Sequence, residues 1–337
     1  MKVAVLGAGG FAGEKLVELL LNHPSVEITY LTSLLPKPLP YSEIFPKFRN
    51  KIRLVCENLD MHNATNKADF FFLALPHTVS MQIVPILLKK GKKVIDFSAD
   101  YRLRNFSVYE KFYGKSHKDK NNLRQAVYGL PEFFKDKIRK AKLVANPGCY
   151  ATSIILALGP LLKEGLIELH CIVDAKSSIT GAGRKSLLDY HYSNIADNIW
   201  AYKPFCHQHL AEIIQILKDI SSISVKVNFV PHVEGVDGGI YSTIYISFKK
   251  KTSNAKLKQV YKKYYKSAPF IRVFNDLPKL RDVVGTNFCD IGFALQINGK
   301  EAVIVSSIDN LIKGAAGSAI QNMNIMQGFK ETDGLLL

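Results

Sequence analysis

The chain has 337 residues, 47% of them apolar and 22% charged, with a formal net charge of +16. That length supports two hydrophobic cores, and no apolar run approaches the roughly 18–20 residues of a membrane span. Cys56, Cys149, Cys171, Cys206 and Cys289 are odd in number and form no C-x-x-C pattern, which excludes a disulfide framework and a zinc ribbon and fits a reducing cytoplasm. The basic residues are spread along the chain, with clusters at KKGKK (89–93) and KLKQVYKKYYK (256–266) and no nucleic-acid motif. They read as a bland solvated basic surface, with a surface that draws in anionic substrates or an acidic partner as the alternative, and neither nucleic acid nor membrane is an expected partner.

The opening MKVAVLGAGG is a strand and turn rather than a signal peptide. KVAVLG (2–7) reads as a buried strand, FAGEKLVELLLNH (11–23) as a helix and VEITYLTS (26–33) as a second strand. DFFFLALP (69–76), a helix near 78–90 and KVIDFS (93–98) continue the alternation. Strands alternating with helices predict a Rossmann-type parallel sheet covered on both faces. Between the first strand and helix lies GAGGFAG (7–13). Gly7, Gly10 and Gly13 satisfy a G-x-x-G-x-x-G spacing, which permits a tight turn and lets the backbone of Gly10, Phe11, Ala12 and Gly13 approach a pyrophosphate. The second strand ends in Thr32 and Ser33, with Lys37 soon after, where an NAD enzyme usually carries an acid. Hydroxyls and a lysine tolerate a 2′-phosphate, so the expected cofactor is NADP(H).

ANPGCYATS (145–153) follows. Asn-Pro-Gly is turn chemistry, and ATSIILALGPLL is apolar on every face, predicting a buried helix with Cys149 in its first turn. A thiol there meets the positive end of the helix dipole and loses its proton more easily than a free cysteine. Behind a dinucleotide domain, such a thiolate suggests acyl transfer to sulfur followed by hydride reduction. The backbone amide of Cys149 and the side chain of Asn146 are candidate oxyanion donors. FCHQHLAEI (205–213) offers His207, His209 and Glu212 at a helix entry. A proton carrier is one reading of that segment, a polar helix entry is another, and a zinc site is a third that leaves the cysteine and glycine motifs unexplained; no metal is expected. SADYRLR (98–104) and SSITGAGRKS (177–186) contribute Ser98 and Gly181 as candidate cofactor contacts and Arg102 and Arg184 as candidate anion clamps.

Beyond the cysteine helix, IVDAKSS (172–178), VKVNFV (225–230), GIYSTIYISF (239–248), IGFALQI (291–297) and EAVIVSS (301–307) read as longer strands of a mostly antiparallel sheet in an α+β domain. IDNLIKGAAGSAIQNMNIMQGF (308–329) closes the chain as a helix rich in small residues.

The runs YGLPEFF…ANPGCYATS, VDAKSSITGAGRKS, HQHLAEI, FVPHVEG, GTNFCDIG and SSIDNLIKGAAGSAIQNMNIMQGF closely resemble the N-acetyl-γ-glutamyl-phosphate reductase family of arginine biosynthesis, in the expected order over nearly the whole chain. The resemblance implies a fold shared with aspartate-β-semialdehyde dehydrogenase and glyceraldehyde-3-phosphate dehydrogenase. It implies NADPH-dependent reduction of N-acetyl-γ-glutamyl phosphate with phosphate release, and a homodimer or homotetramer. Cys149 matches the nucleophile and Asn310 the asparagine near the nicotinamide amide. The family's histidine falls on His209, with His207 as the alternative and otherwise a substrate contact. The domains expected are 1–148 with 310–337 for the dinucleotide and 149–309 for catalysis and oligomerisation. Two positions depart from the family pattern: Gly238 and Leu34 stand where arginines are usual. A reductase acting on a carrier-bound aminoadipyl or glutamyl phosphate, and a non-catalytic dinucleotide-binding protein, are the alternative functions.

Overall fold

The computed structural model describes residues 1–184 and 188–335. They form two compact units, Met1–Pro147 with the segment from Ala315 onward, and Gly148–Gly314.

The first unit is built on strands β1 (Lys2–Leu6), β2 (Glu27–Thr32), β3 (Leu39–Pro40), β4 (Val55–Glu57), β5 (Phe70–Leu73), β6 (Lys93–Asp96), β7 (Val127–Tyr128) and β8 (Leu143–Ala145). Their order is β3-β4-β2-β1-β5-β6-β8-β7, parallel except for the β3–β4 pair at one edge. Parallel strands need crossovers, and helices Phe11–Leu20, Met61–Lys67, Ser80–Lys89 and Pro131–Lys140 provide them. The central strands are apolar on both faces, as burial on both sides requires: Phe70, Phe71, Phe72 and Leu73 are all fully buried. β5 ends at Leu73, three residues before the apolar run does. The chain leaves the sheet where the carbonyl of Ala74 packs against Gly7 and Pro76 follows. The strands β3, β4 and β7, at or next to the sheet edges, are too short to show a period.

The helix Gly317–Gln327 returns to this unit and is buried on every face, polar residues included. Asn324 meets His23 Nε2 at 2.9 Å, and Lys93 Nζ donates to the carbonyl of Met326 (2.9 Å), where the last-turn carbonyls lack amide partners. The sequence predicts one helix from Ile308 to Phe329. Instead the chain makes a turn at Asp309–Leu311, a π-helical turn at Ile312–Ala316 and only then the α-helix. Asp309 causes the break. Its carboxylate takes the amides of Leu311 (2.8 Å), Ile312 (2.9 Å) and Gly285 (2.8 Å), which holds the turn in the second unit.

The second unit carries β9 (Ile167–Ser178), β10 (Ile199–Ala201), β11 (Lys226–Glu234), β12 (Ile240–Phe248), β13 (Ile271–Val273), β14 (Cys289–Leu295) and β15 (Glu301–Ile308), ordered β10-β11-β9-β12-β15-β14-β13. Pairing is antiparallel except between β11 and β9 and between β13 and β14. Alternation along β12 buries Ile240, Ser242, Ile244, Ile246 and Phe248 and turns Tyr245 and Ser247 outward. Helices Cys149–Lys163, His209–Ser221 and Asn254–Tyr265 belong to this unit. The first is buried from Tyr150 to Leu162. Ser153 Oγ fixes it to the sheet through hydroxyls on two strands, Ser242 at 2.9 Å and Ser306 at 3.0 Å.

Pro160 sits inside the cysteine helix and has no amide to offer the carbonyl of Leu156. The lysine-faced helix Asn254–Tyr265 supplies the missing donor. Tyr265 Oη gives a hydrogen bond to that carbonyl (2.6 Å), and Tyr261, one turn earlier, gives one to Ala157 (2.8 Å). Replacing Tyr265 by Phe strands a buried carbonyl and lowers the unfolding free energy by about 1–3 kcal/mol. Urea denaturation checks this against Tyr264→Phe, whose hydroxyl bonds the surface residue Glu164; equal midpoints for the two variants refute it.

Candidate active site

In the first unit the glycine turn closes between β1 and its helix. Gly7 has φ +90°, and a Cβ there would lie 2.2 Å from the Ala74 carbonyl oxygen; one on Gly13 would lie 2.2 Å from the Gly7 oxygen. Only glycine allows strand, turn and helix to pack this closely. The amides of Gly7 (3.0 Å) and Ala8 (2.7 Å) donate to the Thr32 carbonyl, and Tyr41 Oη donates to the Ala8 carbonyl (2.8 Å). No side chain caps the helix at Gly10, so the first-turn amides, with Phe11 and Ala12 among them, present donors suited to a pyrophosphate. The cradle fits a dinucleotide.

Thr32 is buried and braces the turn, with its hydroxyl 3.3 Å from the Gly7 amide. Ser33 is half-buried, and its hydroxyl lies over the Cα of Gly9. Leu34 and Lys37 are exposed on a loop that Asn58 pins by two hydrogen bonds to the backbone of Leu35.

At the end of β6 the buried carboxylate of Asp96 accepts from Ser80 (2.6 Å), from the Ser98 hydroxyl (2.6 Å) and from the Ser98 amide (3.2 Å). Burial, with the charge of Asp100 second, pushes its pKa up to about 6 against these hydrogen bonds. Ser98, an expected cofactor contact, is 1% exposed and its hydroxyl also accepts from the Asp100 amide (3.1 Å). Arg102, an expected anion clamp, donates to the carbonyls of Asn146 (2.7 Å) and Phe97 (2.6 Å). Asn146 is itself buried. Its Nδ2 donates to the Ala315 carbonyl (2.9 Å) and its Oδ1 accepts from Asn322 (3.2 Å).

In the second unit Cys149 is the first residue of its helix and is half-buried, with Gly148 as N-cap. Gly314 backs it: a Cβ at that position would come within 2.8 Å of Cys149 Cβ and 3.2 Å of its Cα. The Gly148 amide donates to Glu212 Oε1 at 2.8 Å, both groups being buried. Glu212 lies in the first turn of helix His209–Ser221, so one carboxylate joins the starts of the two helices.

His209 opens that helix and is half-buried. His207 is 3% exposed and accepts the His209 amide at Nδ1 (3.2 Å), with Nε2 3.3 Å from Tyr202 Oη. Tyr150 lies edge-on to both imidazoles at 5.6 and 5.9 Å. Burial, then the neighbouring His209, pushes the His207 pKa down to about 2. Asn310 is buried, its Oδ1 taken by the Gly239 amide (2.7 Å) and the Ser178 hydroxyl (3.0 Å) and its Nδ2 on Thr180 (2.9 Å). Gly181 and Arg184 are exposed; Lys185 and Ser186 of the same loop lie outside the described residues.

Sequence reasoning missed Tyr41, Asp96, Asn322 and Gly314 as parts of this framework. An acid inside the apolar strand KVIDFS and an amide inside a wholly buried helix were available signals; nothing local marked Tyr41. Among the described residues no group of three or more His, Cys, Asp or Glu could hold a metal ion, and no helix is long and apolar enough to cross a membrane.

Residues 2–141 match the model described as semialdehyde dehydrogenase, NAD binding domain, and residues 149–310 that described as semialdehyde dehydrogenase, dimerisation domain. Over 339 aligned residues the chain is 44% identical to the N-acetyl-gamma-glutamyl-phosphate reductase of Desulfotalea psychrophila and 46% identical to that of Geotalea daltonii, covering 99% of this chain and 98% of each relative. Aspartate semialdehyde dehydrogenase II of Vibrio cholerae, complexed with ASA, shares the fold at TM-score 0.73 and 18% identity, over 97% of this chain and 98% of that one. The Candida albicans aspartate semialdehyde dehydrogenase with NADP does so at TM-score 0.69 and 19% identity, with the same coverage. The first unit is therefore a nicotinamide-dinucleotide-binding domain, and the second carries the dimerisation domain.

Because His207 is neutral in the native state down to about pH 2 while its ordinary value is 6.5, the unfolded chain binds the extra proton between those values. His207 thus removes stability as pH falls below 6.5 and is without such effect above it. His207→Asn, which keeps an acceptor for the His209 amide, is less stable than the parent at pH 8. The gap narrows on acidification, by at most about 1.4 kcal/mol per pH unit. Urea melts at pH 8, 6 and 5 measure this, and a constant gap refutes it.

Proposed function

We propose that the chain, which belongs to the N-acetyl-γ-glutamyl-phosphate reductase family, reduces N-acetyl-γ-glutamyl phosphate to N-acetyl-glutamate 5-semialdehyde and inorganic phosphate in arginine biosynthesis, with NADPH as reductant. The observation that carries this reading is Cys149 at the first position of a buried helix, with its N-cap amide tied to the helix that His209 opens. The nicotinamide, when bound, supplies the hydride. The glycine turn and the amides of Phe11, Ala12 and Gly13 hold the pyrophosphate. Ser33 and Lys37, with no acid among residues 32–37, receive the 2′-phosphate.

His209 takes the thiol proton, and the sulfur of Cys149 attacks the γ-acyl carbon. The carbon–oxygen bond to phosphate breaks, the proton passes from His209 to the phosphate, and a thioester remains. After hydride addition the oxyanion is held by the amide of Cys149 and by Asn146, and its collapse expels the thiolate and frees the aldehyde. His207 is unsuited to carry the proton because burial keeps it neutral and its Nδ1 is engaged. It orients His209 instead. Arg184, on an exposed loop, fits the substrate phosphate better than Arg102, which braces two backbone carbonyls. Glu212 positions the Cys149 turn, and Asn310 holds the Ser178–Thr180 segment. We assign the enzyme to the cytoplasm, as a homodimer or homotetramer joined through the second unit.

Cys149→Ala abolishes NADPH oxidation with N-acetyl-γ-glutamyl phosphate, while His209→Asn lowers the rate on the order of 10²–10⁴-fold. Turnover by the alanine variant sinks the covalent route, and a loss confined to His207→Asn reverses the histidine assignment. Ser33→Asp shifts the kcat/KM ratio from NADPH toward NADH; an unmoved ratio means that the 2′-phosphate is held elsewhere.

A further inference from the structure

We infer that Asn322 is a positioning residue for the reduction, setting which end of the Asn146 carboxamide is offered to the acyl oxygen. The inference rests on the oxyanion role proposed above for Asn146. Asn322 lies in the last helix and is fully buried. Its Nδ2 donates to the Gly129 carbonyl (2.8 Å) and to Asn146 Oδ1 (3.2 Å). Asn146 Nδ2 donates in turn to the Ala315 carbonyl (2.9 Å).

A carboxamide has one accepting and one donating end, and these two neighbours give them different partners. Turned over, Asn146 would bring its oxygen against the Ala315 oxygen and its NH₂ against that of Asn322. Both contacts repel, so the donor end is fixed and one of its two hydrogens stays available for an oxyanion. The backbone of Asn146 is equally constrained, its amide on the Asp96 carbonyl (2.8 Å) and its carbonyl on Arg102. Gly129 is required for the arrangement, since a Cβ there would lie 2.5 Å from Asn322 Nδ2.

The cost is visible on Asn322 itself, whose Oδ1 is buried with no hydrogen-bond partner. An apolar side chain of similar size would avoid that penalty. It is accepted where the two donors of Asn322 are needed.

The test is a double-mutant cycle on the full chain with NADPH and N-acetyl-γ-glutamyl phosphate. Asn146→Ala lowers kcat on the order of 10²-fold, the usual cost of one oxyanion donor. Asn322→Ala lowers kcat about tenfold with KM and the rate of Cys149 alkylation unchanged, because the donor is misaimed rather than lost. The double variant equals Asn146→Ala alone. Equal losses in both backgrounds, or no loss from Asn322→Ala, overturn the inference. An unchanged kcat in Asn146→Ala overturns instead the oxyanion reading beneath it. Asn322→Asp keeps the shape and serves if the alanine variant does not fold. Its carboxylate cannot donate, whereas its protonated form can, so its kcat relative to the parent rises as pH falls from 8 to 6. A flat ratio indicates a merely structural side chain and overturns the inference.

Discussion

The hydrogen bond from the Gly148 amide to Glu212 is the contact on which the placing of the second unit's two helix starts depends. A helix start in an apolar core has amides that water cannot reach, and a buried carboxylate has charge that water cannot solvate. Each is costly alone, and each satisfies the other. Because Glu212 belongs to the first turn of the helix that His209 opens, the same bond fixes the cysteine turn against the histidine turn. The rest of the helix is held from its other side. Ser153 hydrogen-bonds Ser242 and Ser306 on the sheet, and Tyr261 and Tyr265 reach the carbonyls around Pro160. These bonds hold the helix at its start, its middle and its proline turn, so the backbone of Cys149 is placed by packing.

The first unit uses buried polar groups to the same end. Asp96 collects three donors, Arg102 spans two carbonyls, and Asn146 is held at its amide, carbonyl, oxygen and nitrogen. Apolar packing sets the spacing of sheet and helices but is indifferent to small rotations. Directional bonds in a low-dielectric interior are not, and they are costly when broken. The loop after β6 and the Asn-Pro-Gly turn are therefore rigid without regular structure of their own.

Much of this was legible in the sequence. The strands β1, β2, β5 and β6 and the helices Phe11–Leu20 and Ser80–Lys89 followed from apolar runs punctuated by glycine and proline, and the cysteine helix from its uniformly apolar residues. The short strands β3, β4, β7, β10 and β13 were not, because two or three residues carry no period. β9 begins at Ile167, where it pairs with Phe248, five residues before the predicted start; the sequence hides this stretch because Glu168, Leu169 and His170 are all exposed and the alternation is lost there. The sequence predicts too long a last helix because small residues carry no signal for the π-helical turn that Asp309 imposes. The site followed the same rule. The glycine turn and the helix starts at Cys149 and near His209 were readable from local context. What Ser98, Arg102 and Asn310 do was not, since their hydrogen-bond partners lie on other elements.

The fold imposes neither of the two departures from the expected family pattern. Gly238 does not need to be glycine: a Cβ there would meet only Val284, at 3.4 and 3.9 Å, whereas its neighbour Gly239 has φ +104° and a Cβ there would strike Leu280 at 2.4 Å. The backbone at 238 accepts a side chain, so the missing arginine is a change of surface chemistry made without structural compulsion. Leu34 is 94% exposed on a loop whose shape Asn58 fixes through Leu35. An arginine there would need no rearrangement either. A positive charge missing from such a position can be supplied by any nearby exposed lysine or by the general positive field of a chain with net charge +16, because attraction of an anion depends on distance and screening rather than on one geometry. Residues that only attract are thus free to move around the surface, while those that aim a bond, such as Glu212 and Asn146, are held in place by the interior.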